Sequence, residues 1–181
     1  MKRISASLQG YSIYLAVLNE SDLEKVYRWK NDFQLAALIK AHPFPVSRGE
    51  VEEWFKRSQS DKTQVLFGIY LGRDHGLIGI VRLMFIDWIS SNAELGIYLG
   101  DRGCRRKGFG KEATRLVLDY AFETLNLKRV YLRVLKTNRS AINLYRSVGF
   151  KREGVLRKAF WTRGRCCDVV MMGMLKKEYG K

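Results

Sequence analysis

The run Arg105-Arg106-Lys107-Gly108-Phe109-Gly110, extended by Lys111, has the composition of a phosphate cradle. A strand-like segment, Glu94-Leu95-Gly96-Ile97-Tyr98-Leu99, precedes it. Apolar residues at helical spacing follow it: Ala113, Leu116, Val117, Tyr120, Ala121 and Leu125. The N–H groups of a helix's first turn lack intrahelical partners, and the helix dipole favours an anion there. Gly108 and Gly110 carry no side chain to keep a ligand away from those groups. The glycines miss the dinucleotide fingerprint G-x-G-x-x-G, since Ala113 stands in the last position, and no Gly-Lys-Ser/Thr follows as in a P-loop. Glu94 is the second chemically informative residue. A carboxylate in an apolar strand is costly unless it is paired or functional. Alternation places it on one face with Gly96 and Tyr98. There it could take a proton as a base, directly or through a water, or serve as an ion-pair partner or an exposed residue near the strand start. No Ser-His-Asp arrangement or metal-ligand spacing competes, so no metal is expected. His42 and His75 each stand alone in turn-like segments and read as solvated.

A second segment turns the glycine run into a family signature. Asn138-Arg139-Ser140-Ala141-Ile142-Asn143-Leu144-Tyr145-Arg146-Ser147-Val148-Gly149-Phe150 fits N-x-x-A-x-x-L/A-Y-x-x-x-G-F/Y without a gap, and the glycine run fits R/Q-x-x-G-x-G/A. Together they resemble the GNAT superfamily of acetyl-CoA-dependent N-acetyltransferases. The resemblance extends from Leu15 to Met174. Trp29-Lys30-Asn31-Asp32 and Gly108 to Ala113 are similar to the branch holding the ribosomal-protein N-terminal and spermidine acetyltransferases.

The resemblance implies attack of a primary amine on the acetyl thioester of acetyl-CoA, for which the amine must be neutral and the leaving thiolate needs a proton. It implies that Tyr145 donates that proton, that the backbone of Ile97, Tyr98 and Leu99 pairs with the pantetheine arm, and that residues 105–111 hold the pyrophosphate. It further implies that Asn138 matches the strand-end asparagine that touches the pantetheine arm in relatives, and that the early helices carrying Trp29 and Trp54 line the acceptor site. Read from spacing alone, Tyr145 shares a helix face with Ala141, Leu144 and Val148 and could be a core aromatic, while Asn138 could be a helix N-cap. Arg105 and Arg106 depart from the branch, which often has an aromatic or amide and then Gly; the more basic loop is expected to strengthen phosphate binding.

The chain has 181 residues, 46% of them hydrophobic, which suits one globular domain across its length. No apolar run is long enough to span a membrane, and Gln9 to Ser12 interrupt any signal-like segment, so a cytoplasmic protein is expected. Cys104, Cys166 and Cys167 read as free thiols, and Cys104 beside Arg102, Arg105 and Arg106 is expected to favour thiolate. The net charge of +15 suggests an anionic partner, with the ribosome or RNA nearby. The acceptor reading favours a protein N-terminal α-amine such as that of a ribosomal protein. A polyamine is the alternative, with Glu50, Glu53 and Glu52 as an acidic pocket; a nucleotide-linked amino sugar is another, and a non-catalytic coenzyme-A-binding module a further one. A monomer or homodimer is expected.

These residues need a scaffold. Strands are predicted over Ser12 to Val17, Val65 to Leu71, Leu77 to Phe85 and Asn92 to Leu99, then Val130 to Leu135, Lys151 to Trp161 and Cys166 to Leu175. Helices are predicted from Ser21 to Trp29 and from Ser47 to Ser58, each opened by a Ser-x-x-Glu capping box, and over Gly108 to Leu125 and Ser140 to Val148. Pro43 and Pro45 mark a loop. The order gives an α/β fold: a mixed central sheet of about seven strands with helices on both faces, which the GNAT resemblance adds is splayed between the fourth and fifth strands.

Overall fold

Near-continuous apolar runs such as Val65–Leu71 and residues 77–81 require a sheet covered on both sides, and the computed structural model, which describes residues 7–41, 43–72 and 76–180, has that form. The strands are β1 (Leu8–Gln9), β2 (Ile13–Ala16), β3 (Val65–Leu71), β4 (Leu77–Asp87), β5 (Asn92–Leu99), β6 (Arg129–Leu135), β7 (Lys151–Thr162) and β8 (Arg165–Leu175). They form one eight-stranded sheet in the order β1-β2-β3-β4-β5-β6-β8-β7. Every described pairing is antiparallel except β5 with β6. The short β1, unforeseen in the sequence, adds a strand to the expected seven.

The helices are α1 (Leu23–Lys30), α2 (Phe33–Ile39), α3 (Arg48–Ser60), α4 (Phe109–Asp119) and α5 (Arg139–Val148). On one face of the sheet, Ile13, Leu15, Ile69 and Leu83 pack with Val117 and Phe122. On the other, Ala16, Tyr70 and Ile80 pack with Val26 of α1 and Val51 and Phe55 of α3. Burying side chains of this size stabilises the fold by about 1.5–3 kcal/mol each.

Local chemistry sets the element ends. Ser47 and Glu50 form the expected capping box, with Ser47 N–H donating to Glu50 Oε2 at 2.7 Å and Glu50 N–H to Ser47 Oγ at 3.2 Å. The box expected at Ser21 and Glu24 does not form. Asn19 N–H donates instead to Asp22 Oδ2 at 2.9 Å, and Glu24 pairs with Arg28 and Arg48. The α2 helix was not expected; Asp32 caps it, accepting from Gln34 and Leu35 N–H at 2.9 and 3.1 Å. The long helix expected to run to Leu125 is regular only to Asp119 and finishes as a π-turn over Tyr120–Thr124. His42, His75 and most of the expected turn after β3 lie outside the described residues.

Candidate active site

The parallel pairing of β5 with β6 is brief. Asn92, Ala93 and Glu94 face Arg129, Val130 and Tyr131, and pairing then stops, although both strands continue. Residues 95–99 of β5 therefore present backbone groups to a gap instead of a neighbour strand, an edge that an extended ligand can pair with. This is the splay expected between the fourth and fifth strands of the sequence reading. A cavity of 240 Å³ fills the gap; Ile97, Tyr98, Glu94, Arg133, Asn138 and Tyr145 are among its lining residues. A β-bulge in β4 contributes to the wall, since register shifts between Met84 and Asp87, and Phe85 takes a φ of 52°.

Beyond Leu99 the chain turns into the cradle. Among the described residues, the N–H groups of 106–110 make no hydrogen bond, whereas Lys111 and Glu112 N–H both return to Gly108 O. Gly108 caps α4 with φ 90° and ψ −18°, a conformation costly for any residue with a Cβ. A Cβ there would meet nothing within 4 Å, so the space before the helix is open to a ligand. The helix that supplies this end is fixed by Glu112, whose Oε1 accepts from Ser12 N–H at 2.8 Å. An open, basic, donor-rich helix start fits a phosphorylated cofactor.

Two loop residues differ from expectation. Arg105 turns inward, its Nε donating to Leu99 O at 3.0 Å, while one terminal nitrogen is buried without a hydrogen bond. It secures the end of β5, so the added basicity facing outward comes from Arg106 and Lys107, both exposed. Gly110 serves packing as much as ligand access: a Cβ there would lie 3.1 Å from Leu144 of α5.

Tyr145 is buried, with its ring edge-on to Phe150 at 5.8 Å. Burial pushes its phenol up to about 12. Among the described residues its hydroxyl makes no hydrogen bond, so the packed ring carries an available proton into the cleft. Both readings of this residue, core aromatic and cleft group, are met in one position. Asn138 is the N-cap of α5, accepting from Ala141 N–H at 3.2 Å, and its Nδ2 donates to Leu38 O. Glu94 is 3% exposed and held by Arg133: Nε reaches its two oxygens at 3.0 and 3.1 Å and a terminal nitrogen reaches Oε2 at 2.8 Å. These hydrogen bonds hold the guanidinium above its ordinary range.

Trp29 reaches the site, lining an adjoining cavity of 170 Å³ and standing edge-on to Tyr98 at 6.0 Å. Glu50 and Glu53 line neither cavity. Glu50 is used in its capping box and Glu53 is exposed on α3, so the expected acidic acceptor pocket does not form there. Glu52 lines a different cavity, beside Glu20 and Glu24. The thiolate expected at Cys104 is also absent. The thiol is buried, and burial, followed by the neighbouring Asp101, raises its pKa. Sequence reading missed Lys30, Lys40, Arg82 and Arg133, all of which line the two cavities. Arg82 and Arg133 each interrupt an apolar strand, the same signal that picked out Glu94.

A donor-rich helix start, an opened parallel strand pair and a tyrosine beside the opening fit an acyltransferase. Residues 13–151 match the Acetyltransferase (GNAT) domain, and the chain belongs to that family, with acetyl-CoA as its co-substrate. The spermidine N(1)-acetyltransferase of Vibrio cholerae serotype O1 is 32% identical over 165 residues, 91% of this chain and 94% of that protein. The crystal structure of spermidine N-acetyltransferase from Vibrio cholerae in complex with CoA and spermine superposes with a TM-score of 0.88 at 30% identity, covering 94% of this chain and 99% of that one. The Bacillus subtilis protein YdaF, named provisionally as a ribosomal N-acetyltransferase, is 28% identical over 129 residues, 71% of this chain and 68% of its own length. The protein is an N-acetyltransferase. Among the described residues no group of His, Cys, Asp and Glu is placed to hold a metal, and no helix is long and apolar enough to cross a membrane.

Proposed function

We propose that the enzyme transfers the acetyl group to a primary amine presented at the β5–β6 opening, with Tyr145 as the proton donor to the leaving sulfur. The observation that carries this reading is the end of strand pairing after Glu94 and Tyr131, which frees the backbone of 95–99 beside Tyr145. Acetyl-CoA supplies an activated thioester when bound. The N–H groups of 106–110 would hold its pyrophosphate, and the free edge at Ile97, Tyr98 and Leu99 would align its arm. Asn138, fixed as an N-cap, keeps its amide at the rim of the same gap. Positioning two reactants side by side supplies most of the rate gain in such a site.

Glu94 enters this proposal as the anchor of Arg133. Both its oxygens already accept from the guanidinium, so the amine proton is left to solvent in the open cleft. The acceptor is the finer question. The relatives' names support a polyamine over the ribosomal peptide amine favoured from sequence, and no observation on the described residues supports proximity to ribosome or RNA. The side chains of the cleft do not favour a polycation, however, since the one carboxylate among its described residues is already paired. The test is thiol release from acetyl-CoA with a panel of amines, followed by mass analysis of the amine. Amine-dependent release with an acetylated product supports the reading. Acetyl-CoA bound without release, whatever the amine, would make the chain a coenzyme-A-binding module.

A further inference from the structure

We propose that the acceptor is a primary amine that also carries an anionic group, a carboxylate or a phosphate, and that Lys30, Lys40 and Arg82 receive that group. The inference rests on the transferase reading above and names its substrate class. The two cavities at the opening adjoin, with Ile39, Arg82 and Tyr98 common to both linings, and make up a two-part recess. Its charged lining is Lys30, Lys40, Arg82, Arg133 and Glu94. Glu94 is consumed by Arg133, which leaves Lys30, Lys40 and Arg82 with no ion pair or hydrogen bond from their side chains among the described residues. Lys30 has only the Trp54 ring, 4.1 Å from its Nζ.

The arrangement is built into the strands. Arg82 of β4 lies opposite Gly96 of β5, and a Cβ at Gly96 would come 3.4 Å from Arg82 Nε. Arg82 thus lies over β5 within contact distance of Gly96, and Tyr98 lines both cavities with it. Lys30 ends α1, and Lys40 caps α2 in a left-handed turn at φ 57°. These positions are on the side of the sheet covered by α1 to α3, whereas α4, which presents the phosphate cradle, packs against the other side. The cluster is thus distinct from the cofactor's own phosphate site.

Gathering three partly buried cations around a single carboxylate, Glu94, which Arg133 already holds and which also attracts Lys40 and Arg82, costs free energy in the free enzyme. Burial lowers the Lys30 ammonium to about 8, with Arg82 and then Arg57 adding to the effect, and burial lowers Lys40 and Arg82 as well. A bound anion relieves that cost. A polyamine would add cations to it.

The experiment compares matched acceptors with acetyl-CoA: glucosamine 6-phosphate against glucosamine, alanyl-alanine against alanyl-alanine amide, and spermidine alone. The phosphate and carboxylate arms separate the two sources of anion. At least one anionic member is expected to exceed its neutral partner about 10-fold in kcat/KM, and to exceed spermidine, a preference worth about 1.4 kcal/mol. Arg82→Gln should reduce the anionic-to-neutral ratio of kcat/KM, and added salt should act in the same direction. Tryptophan emission of the coenzyme-A-loaded enzyme, reporting Trp29 and Trp54, gives binding of the same compounds without turnover. Binding of an anionic amine without acetylation would uphold the anion site at Lys30, Lys40 and Arg82 but overturn both the transferase reading and the assignment of that amine as acceptor. Spermidine as the best substrate, or no binding of either anionic amine, would overturn the inference.

Discussion

The Tyr145 phenol, raised to about 12 by burial, keeps its proton throughout the range in which a primary amine begins to lose one. Tyr145→Phe preserves the ring and its contact with Phe150 while removing that proton. Turnover should fall roughly 10–1,000-fold with acetyl-CoA affinity retained. Full turnover in a variant that binds cofactor would remove Tyr145 from the mechanism. Glu94→Gln tests the anchoring role, because it keeps the shape and discards the charge that holds Arg133. A rate loss of similar size at every pH is the expected outcome. A loss concentrated at neutral pH and recovered at high pH would restore Glu94 as the base. The isolation of Glu94 in its strand was legible in the sequence, as was that of Arg82 and Arg133. Their meeting was not, because it depends on strand register: Glu94 faces Met84 on one side and Tyr131 on the other, which sets it beside Arg133.

At the scale of elements, the cradle is the clearest case of local sequence deciding local structure. Gly108 must adopt a positive φ, so Gly108→Val is expected to weaken acetyl-CoA binding at least about 10-fold through backbone strain at the helix start. The site is exposed and its neighbourhood open, so the melting temperature should change far less than affinity. Calorimetry giving wild-type cofactor affinity would show that the loop is not the phosphate site. This cradle was readable because glycines, basic residues and the helix start are contiguous. The α2 helix was not, because it is seven residues long and begins after Asp32, almost directly upon the end of α1. Its signal was an aspartate ahead of Phe33-Gln34-Leu35-Ala36, a cap without a box. Its placement is tertiary: Asn31 holds the Pro-loop by exchanging hydrogen bonds with Val46, and Arg102 bridges to Asp32 at 3.0 Å. The misplaced box at Ser21 has a similar cause. Asp22 is taken by the Tyr70 hydroxyl at 2.6 Å, a contact made 48 residues away, which sets where the first helix begins.

For the whole molecule, the excess of positive charge reaches the recess as well as the surface, and stability should register it. Lys30 titrates near 8 in the fold and near 10.5 when unfolded, so its charged form is disfavoured by folding. The cost is present in full below about pH 8 and is relieved as pH rises from there to 10.5. Lys30 faces Arg82 of β4, Arg57 of α3 and the Trp54 ring, and none of these offers it a negative charge. Lys30→Met should therefore raise the melting temperature at pH 7 and flatten its pH dependence between 8 and 10.5 relative to wild type. Parallel curves for the two proteins would mean that Lys30 is not strained. The central claim, that the unpaired stretch of β5 and the turn before α4 together hold the cofactor beside Tyr145, is tested most directly by amide hydrogen exchange with and without acetyl-CoA. Protection is predicted to rise in peptides spanning 95–99 and 106–110 and to stay unchanged at 92–94, where β5 is already paired with β6. Tight acetyl-CoA binding with no change at 95–99 and 106–110 would contradict the account.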